Sequence, residues 1–397
     1  MTRRTFNTVP LGELLEETPR NGYSPVCPDL PTGKWVLSLS ALDGRGLDLS
    51  EPKPAPANDP LVDKFMLQPG DFLISRSNTF DKVGRVGVFR GGLENCSYPD
   101  LMMRFRPDPK KVNPLYLETY LKSDAAIKFI RQHATGTSGS MKKINQATVE
   151  SIPVVVPSME EQATIAELLM YWYGAIQKIE QLIAAKERHY SHELSRLISR
   201  GQRPHAHVGT FAEEVSARNR GGNEARVLSV TNSRGFVLPE DQFERRVASA
   251  DLSNYKVVHR GQYAYNPSRI NVGSIARLDR WDDGVLSPMY VVFRLDEDKA
   301  NSDYFLHWLN SHEARQRIKN SAQGSVRETV SFSEFAAITI PLPDSNTQTA
   351  IARYLNALRE EIDLLGQSVA ALKTQKRGLM QKLLTGQWRL PVQVEAN

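Results

Sequence analysis

The sequence is poor in cysteine, in clustered histidine and in long apolar runs, and each shortage excludes a class of protein. Its 397 residues include two cysteines, Cys27 and Cys96, which are too few for a disulfide framework or a metal cluster. The eight histidines show no metal-ligand spacing, and we place His205 and His207 in a solvated linker. No segment approaches the roughly 20 apolar residues of a membrane span, so we expect a cytoplasmic protein.

Catalytic signatures are equally scarce. Asn266-Pro267-Ser268 follows an apolar strand and resembles the Asn-Pro-Pro-Tyr element of amino-methyltransferases, but the second proline and the aromatic residue are missing. No glycine-rich cofactor loop precedes it, and the segments 84–87 and 136–139 are too short for phosphate-binding loops. The sequence therefore predicts a chain without catalytic residues, cofactor site or metal site of its own.

Composition points to an ordinary globular chain with a small excess of positive charge. Hydrophobic residues make up 40% and charged residues 24%, which allows well-formed cores. The net charge of +5 is compatible with a nucleic-acid partner, although charge this weak is equally typical of a basic-leaning soluble protein.

The most informative feature that is present is an internal repeat of domain size. Residues 157–169 match residues 343–355, so that proline, glutamine, isoleucine, alanine and leucine recur at equal spacing. Earlier matches, in the same order, pair Gly70 with Gly261 and Tyr116 with Tyr304. A period of this length indicates two copies of a whole domain rather than a solenoid of small units.

Each copy is predicted to be an α+β domain, that is, a mixed domain built around strands. Short strands are expected near residues 35–39, 72–75, 86–89 and 101–105, with counterparts in the second copy. One helix is expected over 114–132, and its copy over 302–320. A last strand, stopped by proline, closes each copy at Pro157 and Pro343.

A long helix follows each copy. Apolar residues recur in steps of four and three, which is the seam of a heptad coiled coil. The second seam is Ile351, Leu355, Leu358, Ile362, Leu365, Val369, Leu372, Lys376, Leu379 and Leu383; the first is Ile165, Leu169, Trp172, Ile176, Ile179 and Ile183, continuing through Lys186, Tyr190, Glu193 and Leu197. Each helix would be about 55 Å long. We expect the two to pair antiparallel; the alternative is that each docks on its own domain.

Polar loops after equivalent strands are the candidate binding sites. Arginine, asparagine and serine read base edges and phosphates, and a glycine-rich basic loop suits phosphate contact. The predicted DNA-binding residues are Arg76, Asn78, Lys82, Ser140, Lys142 and Lys143 in the first copy, and Asn266, Ser268, Arg269, Asn271, Ser325 and Arg327 in the second. For any single residue, a solvated polar turn is an equally good explanation, but recurrence in both copies favours the loops as a group.

Taken together, these features resemble the specificity subunit of type I DNA restriction-modification systems. The resemblance covers nearly the whole chain and is carried by Leu-Gly-Glu-Leu at Leu11–Leu14, Pro-Gly-Asp-Phe-Leu at 69–73, the twofold Pro-x4-Gln-x2-Ile signature, and the closing Leu-Leu-Thr-Gly at 383–386. Gln262 replaces the acid found at Asp71, and Thr210-Phe211 replace Glu13-Leu14, which leaves the turn geometry open.

The resemblance implies a non-catalytic subunit with two DNA readers on a helical spacer. Each domain would read one half of a bipartite, asymmetric DNA site, and the helices would set the spacing and dock two methyltransferase subunits. S-adenosylmethionine would belong to those adenine-specific methyltransferase subunits, and ATP and Mg²⁺ to a restriction-translocase subunit. The implied domains are 1–157 and 202–343 for target recognition, 158–201 and 344–386 for the spacer helices, and 387–397 for a tail. Alternatives are a coiled-coil adaptor with protein-binding ends and a standalone DNA methyltransferase.

Overall fold

The structure is a computed structural model that describes residues 6–136, 141–199, 203–222, 224, 226–241, 251–322 and 329–390. The chain divides into two compact units. Unit 1 comprises Met1–Lys178 and Ser368–Asn397, and unit 2 comprises Ile179–Gln367. Each unit therefore contains one globular copy of the repeat together with one part of each long helix.

Unit 1 is built around an antiparallel sheet of four strands. The strands are β1 (Asn7–Pro10), β2 (Leu15–Asn21), β3 (Trp35–Val36), β4 (Lys53–Pro54), β5 (Phe72–Ser75), β6 (Ser77–Asn78), β7 (Val86–Val88), β8 (Cys96–Ser97), β9 (Met102–Pro107), β10 (Lys142–Lys143) and β11 (Pro153–Val156). The main sheet has the order β2-β9-β5-β7, β3 pairs with β4 and β8, and β1 pairs with β11. The short helices are α1 (Pro60–Lys64), α2 (Pro114–Leu121), α3 (Asp124–His133) and α4 (Gln146–Glu150). Buried Phe72, Ile74 and Phe105 alternate with residues that face a second apolar cluster, so the sheet has a core on both faces.

Unit 2 repeats this arrangement. Its strands are β12 (His205–His207), β13 (Ala212–Val215), β14 (Ser229–Thr231), β15 (Gly235–Val237), β16 (Lys256–His259), β17 (Tyr263–Tyr265), β18 (Ile275–Arg277), β19 (Asp283–Leu286), β20 (Val291–Leu295) and β21 (Thr339–Pro341). The main sheet has the order β13-β20-β17-β18, which matches that of unit 1 strand for strand. His205 and His207 are thus not in a linker, as we expected, but in β12, which pairs with β21. Both histidines remain exposed.

The predicted helix over 114–132 is in fact two helices, and so is its copy. In unit 1, α2 ends before Ser123, whose side chain accepts a hydrogen bond from the backbone N–H of Ala126 and caps α3. In unit 2, α6 (Ser302–Leu309) is followed by Ser311, which accepts from Ala314 N at 3.1 Å and begins α7 (His312–Ala322). A serine that satisfies a free N–H at a helix start favours a new helix over a continuous one. A further short helix, α8 (Phe332–Ala336), precedes β21.

Residues that recur in both copies make the same contacts in both copies. Gln162 and Gln348 are almost fully buried at the starts of α5 (Met159–Leu194) and α9 (Ser345–Leu384). The side chain of Gln162 accepts from Asn113 N at 2.7 Å and donates to Pro157 O at 2.9 Å. Gln348 makes the same pair of bonds with Asn301 N and Pro343 O, both at 2.8 Å. These glutamines fix each long helix to its own domain.

The two tyrosines of the repeat are equally matched. The hydroxyl of Tyr116 donates to Val155 O at 2.7 Å, and that of Tyr304 donates to Pro341 O at 2.9 Å. Burial raises the pKa of both phenols, so both remain neutral donors to the closing strand. The turn is also preserved at Gln262, which replaces the acid found at Asp71. The Gln262 side chain accepts from His259 N at 3.0 Å, just as Asp71 accepts from Gln68 N at 2.7 Å.

The predicted seams are confirmed, residue by residue. Every seam position of α9 is buried or half-buried, whereas most positions between them are exposed. The seam positions of α5 and of the single π-helical turn Ser195–Ser199 that follows it are also buried or half-buried, but several positions beside this seam, such as Tyr173 and Ala175, are half-buried as well. Within unit 1, Met380 and Leu383 of α9 belong to the core that contains Ile165 and Leu169 of α5.

Within unit 2, the partners are the other ends of the same helices. Tyr190 and Leu194 of α5 share a core with Ile351 and Leu355 of α9. In each unit the early part of one helix meets the late part of the other, which is antiparallel pairing. Lys186, a polar residue of the first seam, forms an ion pair with Glu361 at 2.8 Å. Glu193, the other, is held by Arg196 at 2.6 Å, and this hydrogen-bonded pair lowers the pKa of the Glu193 carboxyl.

Candidate nucleic-acid interface

In unit 1 the structure brings the two predicted loops together. β6 and β10 form a two-residue antiparallel ribbon in which Asn78 lies opposite Lys142 and Ser77 lies opposite Lys143. The ribbon continues through Ile144, whose N–H donates to Arg76 O at 2.9 Å. Segments about 65 residues apart in the sequence therefore form one surface next to the end of β5.

The individual side chains of this surface differ in how free they are. Lys82 and Lys143 are exposed. The guanidinium of Arg76 is half-buried and donates to Asp100 O at 3.4 Å, and Lys142 Nζ donates to Gly136 O at 2.6 Å. Asn78 accepts from Thr79 N at 2.9 Å. Lys82 and Lys143 are thus the cations presented to solvent, while the other three also support the loop.

Unit 2 contains the equivalent loop after β17. Asn266 Oδ1 accepts from Ser268 N at 3.0 Å, and this turn leaves Ser268 and Arg269 exposed. Asn271 is half-buried in a single helical turn that ends at Gly273 with φ of 92°. The bond from Val330 N to Pro267 O, at 3.1 Å, takes the place of the bond from Ile144 N to Arg76 O. The same two chain segments meet in both copies.

Three predicted residues lie outside the described part of the chain. They are Ser140, Ser325 and Arg327. The segments next to them, which begin at Met141 and at Thr329, are described and reach the loops named above.

Some residues of the unit 1 surface had no distinct signal in the sequence. Phe80 is 51% exposed, and the guanidinium of Arg131 lies 5.5 Å from its ring centroid. Arg131 also donates to Asp81 O at 2.8 Å, which ties α3 to the loop. Hydrogen bonding from Thr79 lowers the pKa of the Asp81 carboxyl, so this anion stays ionised beside Lys82. The proximity of a cation to Phe80 could be recognised only after folding.

No other chemistry is evident in the described residues. Among them, no group of three or more His, Cys, Asp or Glu side chains is placed to hold a metal ion. None of the described helices combines the length and apolar character needed to cross a membrane. Cys96 is buried, and burial raises the pKa of its thiol to about 12, so it is not a nucleophile near neutral pH.

Comparison with known proteins defines the class. The model of the type I restriction modification DNA specificity domain matches residues 60–186 and again 268–374, together more than half of the chain. The chain therefore belongs to this family, whose members are the non-catalytic specificity subunits of type I restriction-modification systems.

Particular relatives agree with this assignment. The chain is 22% identical over 354 residues to the putative type I restriction enzyme MjaX specificity subunit of Methanocaldococcus jannaschii, covering 83% of this chain and 81% of the relative. It is 26% identical over 242 residues to the type I restriction enzyme EcoKI specificity subunit of Escherichia coli, covering 60% of this chain and 49% of that one.

Solved structures share the fold. The S subunit of a type I restriction-modification system from M. genitalium superposes with a TM-score of 0.59 at 14% identity, covering 97% of both chains. A chain from a structure that addresses complex assembly and conformational transition of the type I R-M system gives a TM-score of 0.58 at 14% identity, covering 97% of this chain and 99% of that chain.

Proposed function

We propose that each globular domain reads one half of a bipartite DNA site, with unit 1 and unit 2 reading different bases. The observation that carries this proposal is the recurrence of one loop architecture with different side chains. The ribbon of unit 1 and the loop after β6 present Lys143 and Lys82, whereas the loop of unit 2 presents Ser268 and Arg269. An equal scaffold with unequal polar groups suits the recognition of an asymmetric sequence.

The proposed DNA contacts are the loop residues predicted from the sequence. In unit 1 they are Arg76, Asn78, Lys82, Ser140, Lys142 and Lys143; in unit 2 they are Asn266, Ser268, Arg269, Asn271, Ser325 and Arg327. Their support is the meeting of the loop pairs through equivalent backbone bonds. Lys143 is the sharpest single case, because it is exposed and lies at the end of the ribbon.

Lys143→Ala tests the unit 1 surface, with Lys110→Ala as the matched control. Both lysines are exposed, but Lys110 follows the end of β9, at the opposite edge of the sheet from Ser75. In the assembled complex, Lys143→Ala should weaken binding to duplex DNA and reduce the slope of log affinity against log salt by about one. Lys110→Ala should change neither. Equal slopes for the two variants would remove Lys143 from the interface.

The long helices are proposed to act as the spacer and as the docking surface for two methyltransferase subunits. In this proposal the length of the two helices sets the number of unread base pairs between the half-sites, and its support is the antiparallel packing of α5 against α9 within each unit. Exposed apolar residues away from the seam, namely Met170, Tyr171, Tyr354 and Leu364, suit a protein partner. S-adenosylmethionine would then bind in those subunits, and ATP with Mg²⁺ in a restriction subunit.

Docking is tested by Tyr171→Glu, since Tyr171 is 80% exposed and is not one of the seam positions. The variant should fold normally but capture less methyltransferase subunit in a pull-down, and Gln177→Glu, also exposed on α5, should capture the normal amount. Equal capture by both variants would argue against this face of the helix.

Mapping of methylated bases in cells that carry this chain and its methyltransferase partner tests the function as a whole. Methylation at a split motif with an unread spacer is the expected result. A contiguous motif would contradict two separate readers. An absence of methylation together with retained protein binding by the end domains would favour the adaptor alternative.

A further inference from the structure

A third segment of unit 2 reaches the same edge of the main sheet as the Asn266 loop, that is, the side where β13 and β17 end and β20 begins. β13 and β17 both pair antiparallel with β20, so they run in the same direction. Val215, at the end of β13, lies opposite Val292, and Tyr265, at the end of β17, lies opposite Val291. Two strand spacings amount to about 10 Å. The chain that follows Val215 therefore leaves the sheet close to the loop that begins at Asn266.

This third segment is held in a defined turn. Asn219 is 4% exposed, and its N–H donates to Tyr255 O at 3.0 Å. Its side chain donates to Glu224 O at 2.7 Å and accepts from Glu224 N at 3.2 Å, while its carbonyl accepts from Gly222 N at 2.9 Å. Because both the backbone and the side chain of this buried asparagine are hydrogen-bonded, it fixes the base of the turn. Arg220 lies on the exposed tip of the turn.

Arg220 differs from the arginines on either side of it. The guanidinium of Arg218 donates to Asn254 O at 2.6 Å, and that of Arg226 donates to Asp283 O at 3.0 Å. Within the residues that the structure describes, the Arg220 side chain is exposed and enters no ion pair. Gly221 and Gly222 follow it, so the two positions next to Arg220 carry no side chain that would keep a duplex at a distance.

The equivalent segment of unit 1 has different chemistry. It leaves β2 at the same edge, since Gly22 N donates to Met102 O at 3.1 Å, and it runs to Gly33 without a lysine or arginine. Instead it exposes Val26 (92%) and Leu30 (76%). The third segment is therefore a further place where the two copies differ at the edge that carries the proposed contacts.

We propose that Arg220 is an additional DNA contact of unit 2, made to the half-site that the Asn266 loop reads. The proposal deepens the function proposed above and rests on it. An exposed guanidinium on a fixed turn can bind a phosphate or the O6 and N7 edge of a guanine. Arg220 can make either contact in this arrangement, because its turn leaves the sheet beside the Asn266 loop that is proposed to bind the DNA.

Arg220→Ala tests the contact, with Arg294→Ala as the matched control. Arg294 is 62% exposed in the same sheet but lies near the end of β20, at the opposite edge, where it bonds Glu213. The full chain, assembled with its methyltransferase subunits, is measured against the cognate duplex and against duplexes scrambled in one half-site, across a salt series.

Arg220→Ala should lose about 5- to 150-fold in affinity for the cognate duplex if it reads a guanine, with less discrimination against the scrambled unit 2 half-site. If it binds a phosphate, the loss should be uniform across sequences and the salt slope should fall by about one. Arg220→Lys should recover binding in the second case but not in the first.

The outcomes separate this inference from the proposed function. If the unaltered complex does not discriminate between cognate and scrambled duplexes, the proposed function itself fails. If it discriminates normally and Arg220→Ala behaves like Arg294→Ala, then only the assignment of Arg220 is overturned.

Discussion

Replacing either buried glutamine at the start of a long helix by leucine should destabilise the protein, and by a similar amount in both copies. Gln348→Leu removes the acceptor of Asn301 N and the donor to Pro343 O, both at 2.8 Å, in a side chain that is 2% exposed. Each backbone group left unpaired in the interior costs about 1–3 kcal/mol. The extra apolar burial of leucine returns about 1 kcal/mol. We expect a net loss of about 3 kcal/mol.

The repeat makes this prediction unusually strict. Gln162 makes the same two bonds at 2.7 and 2.9 Å and is 1% exposed, and the additional bond of Gln348 to Lys299 O is long at 3.4 Å, so Gln162→Leu should cost about as much as Gln348→Leu. Urea unfolding followed by circular dichroism measures both, and with a slope of about 3 kcal/mol per M the midpoint of the affected transition should fall by about 1 M. The double variant should be additive, because the two sites share no partners.

Gln177→Leu, at an exposed position of α5, is the control and should shift the midpoint little. A loss below 1 kcal/mol for Gln348→Leu would refute the reasoning, because it would mean that Asn301 N and Pro343 O are satisfied in another way. Clearly unequal losses of unfolding free energy for the two glutamine variants would refute the claim that the recurring residues make equivalent hydrogen bonds.

Two further predictions concern two glycines with positive φ and one buried histidine. Gly84 and Gly273 both have positive φ (79° and 92°), but a Cβ at Gly84 would lie 2.4 Å from Ile130 Cγ2, whereas at Gly273 the nearest atom is 3.7 Å away. Gly84→Ala should therefore cost about 3 kcal/mol and Gly273→Ala about 1 kcal/mol in urea unfolding, and equal costs would contradict the packing argument. His307 is buried between the Tyr190 hydroxyl and Asn356 Oδ1, both at 2.8 Å, and burial lowers its pKa. As the pH falls through the ordinary histidine pKa of about 6.5, His307 binds a proton in the unfolded chain but stays neutral in the folded one. Stability should therefore fall from pH 7 to pH 5. His307→Gln should reduce that pH slope, and an unchanged slope would show that His307 is not its source.

The contrast between seam and sheet shows which parts of the fold were predictable. The seams of α5 and α9 were predicted position by position, because a helix that buries one stripe repeats its apolar residues locally. The breaks at Ser123 and Ser311 were missed, because a serine inside a helical pattern also fits an exposed helix position. His207 was misplaced because β12 is short and exposed, and only its pairing with β21 defines it.

The candidate site shows the same division. Recurrence identified the loops at Arg76 and Asn266, but nothing local indicated that Lys142 would pair with Asn78, or that Arg131 would lie beside Phe80. No local pattern marks Arg220, because its significance depends on the direction of β13 in the sheet. Such contacts join residues far apart in the chain, and their partners have no fixed sequence spacing.

The sequence by itself determined that this protein has two copies of one domain, each followed by a helix with a heptad seam, because repetition and periodicity are properties of residue order. Only the tertiary structure decided which loops share a surface, since that depends on strand order and direction. The glutamines connect the two levels: Gln162 and Gln348 recur as letters because each completes the same backbone bonds at the start of a helix.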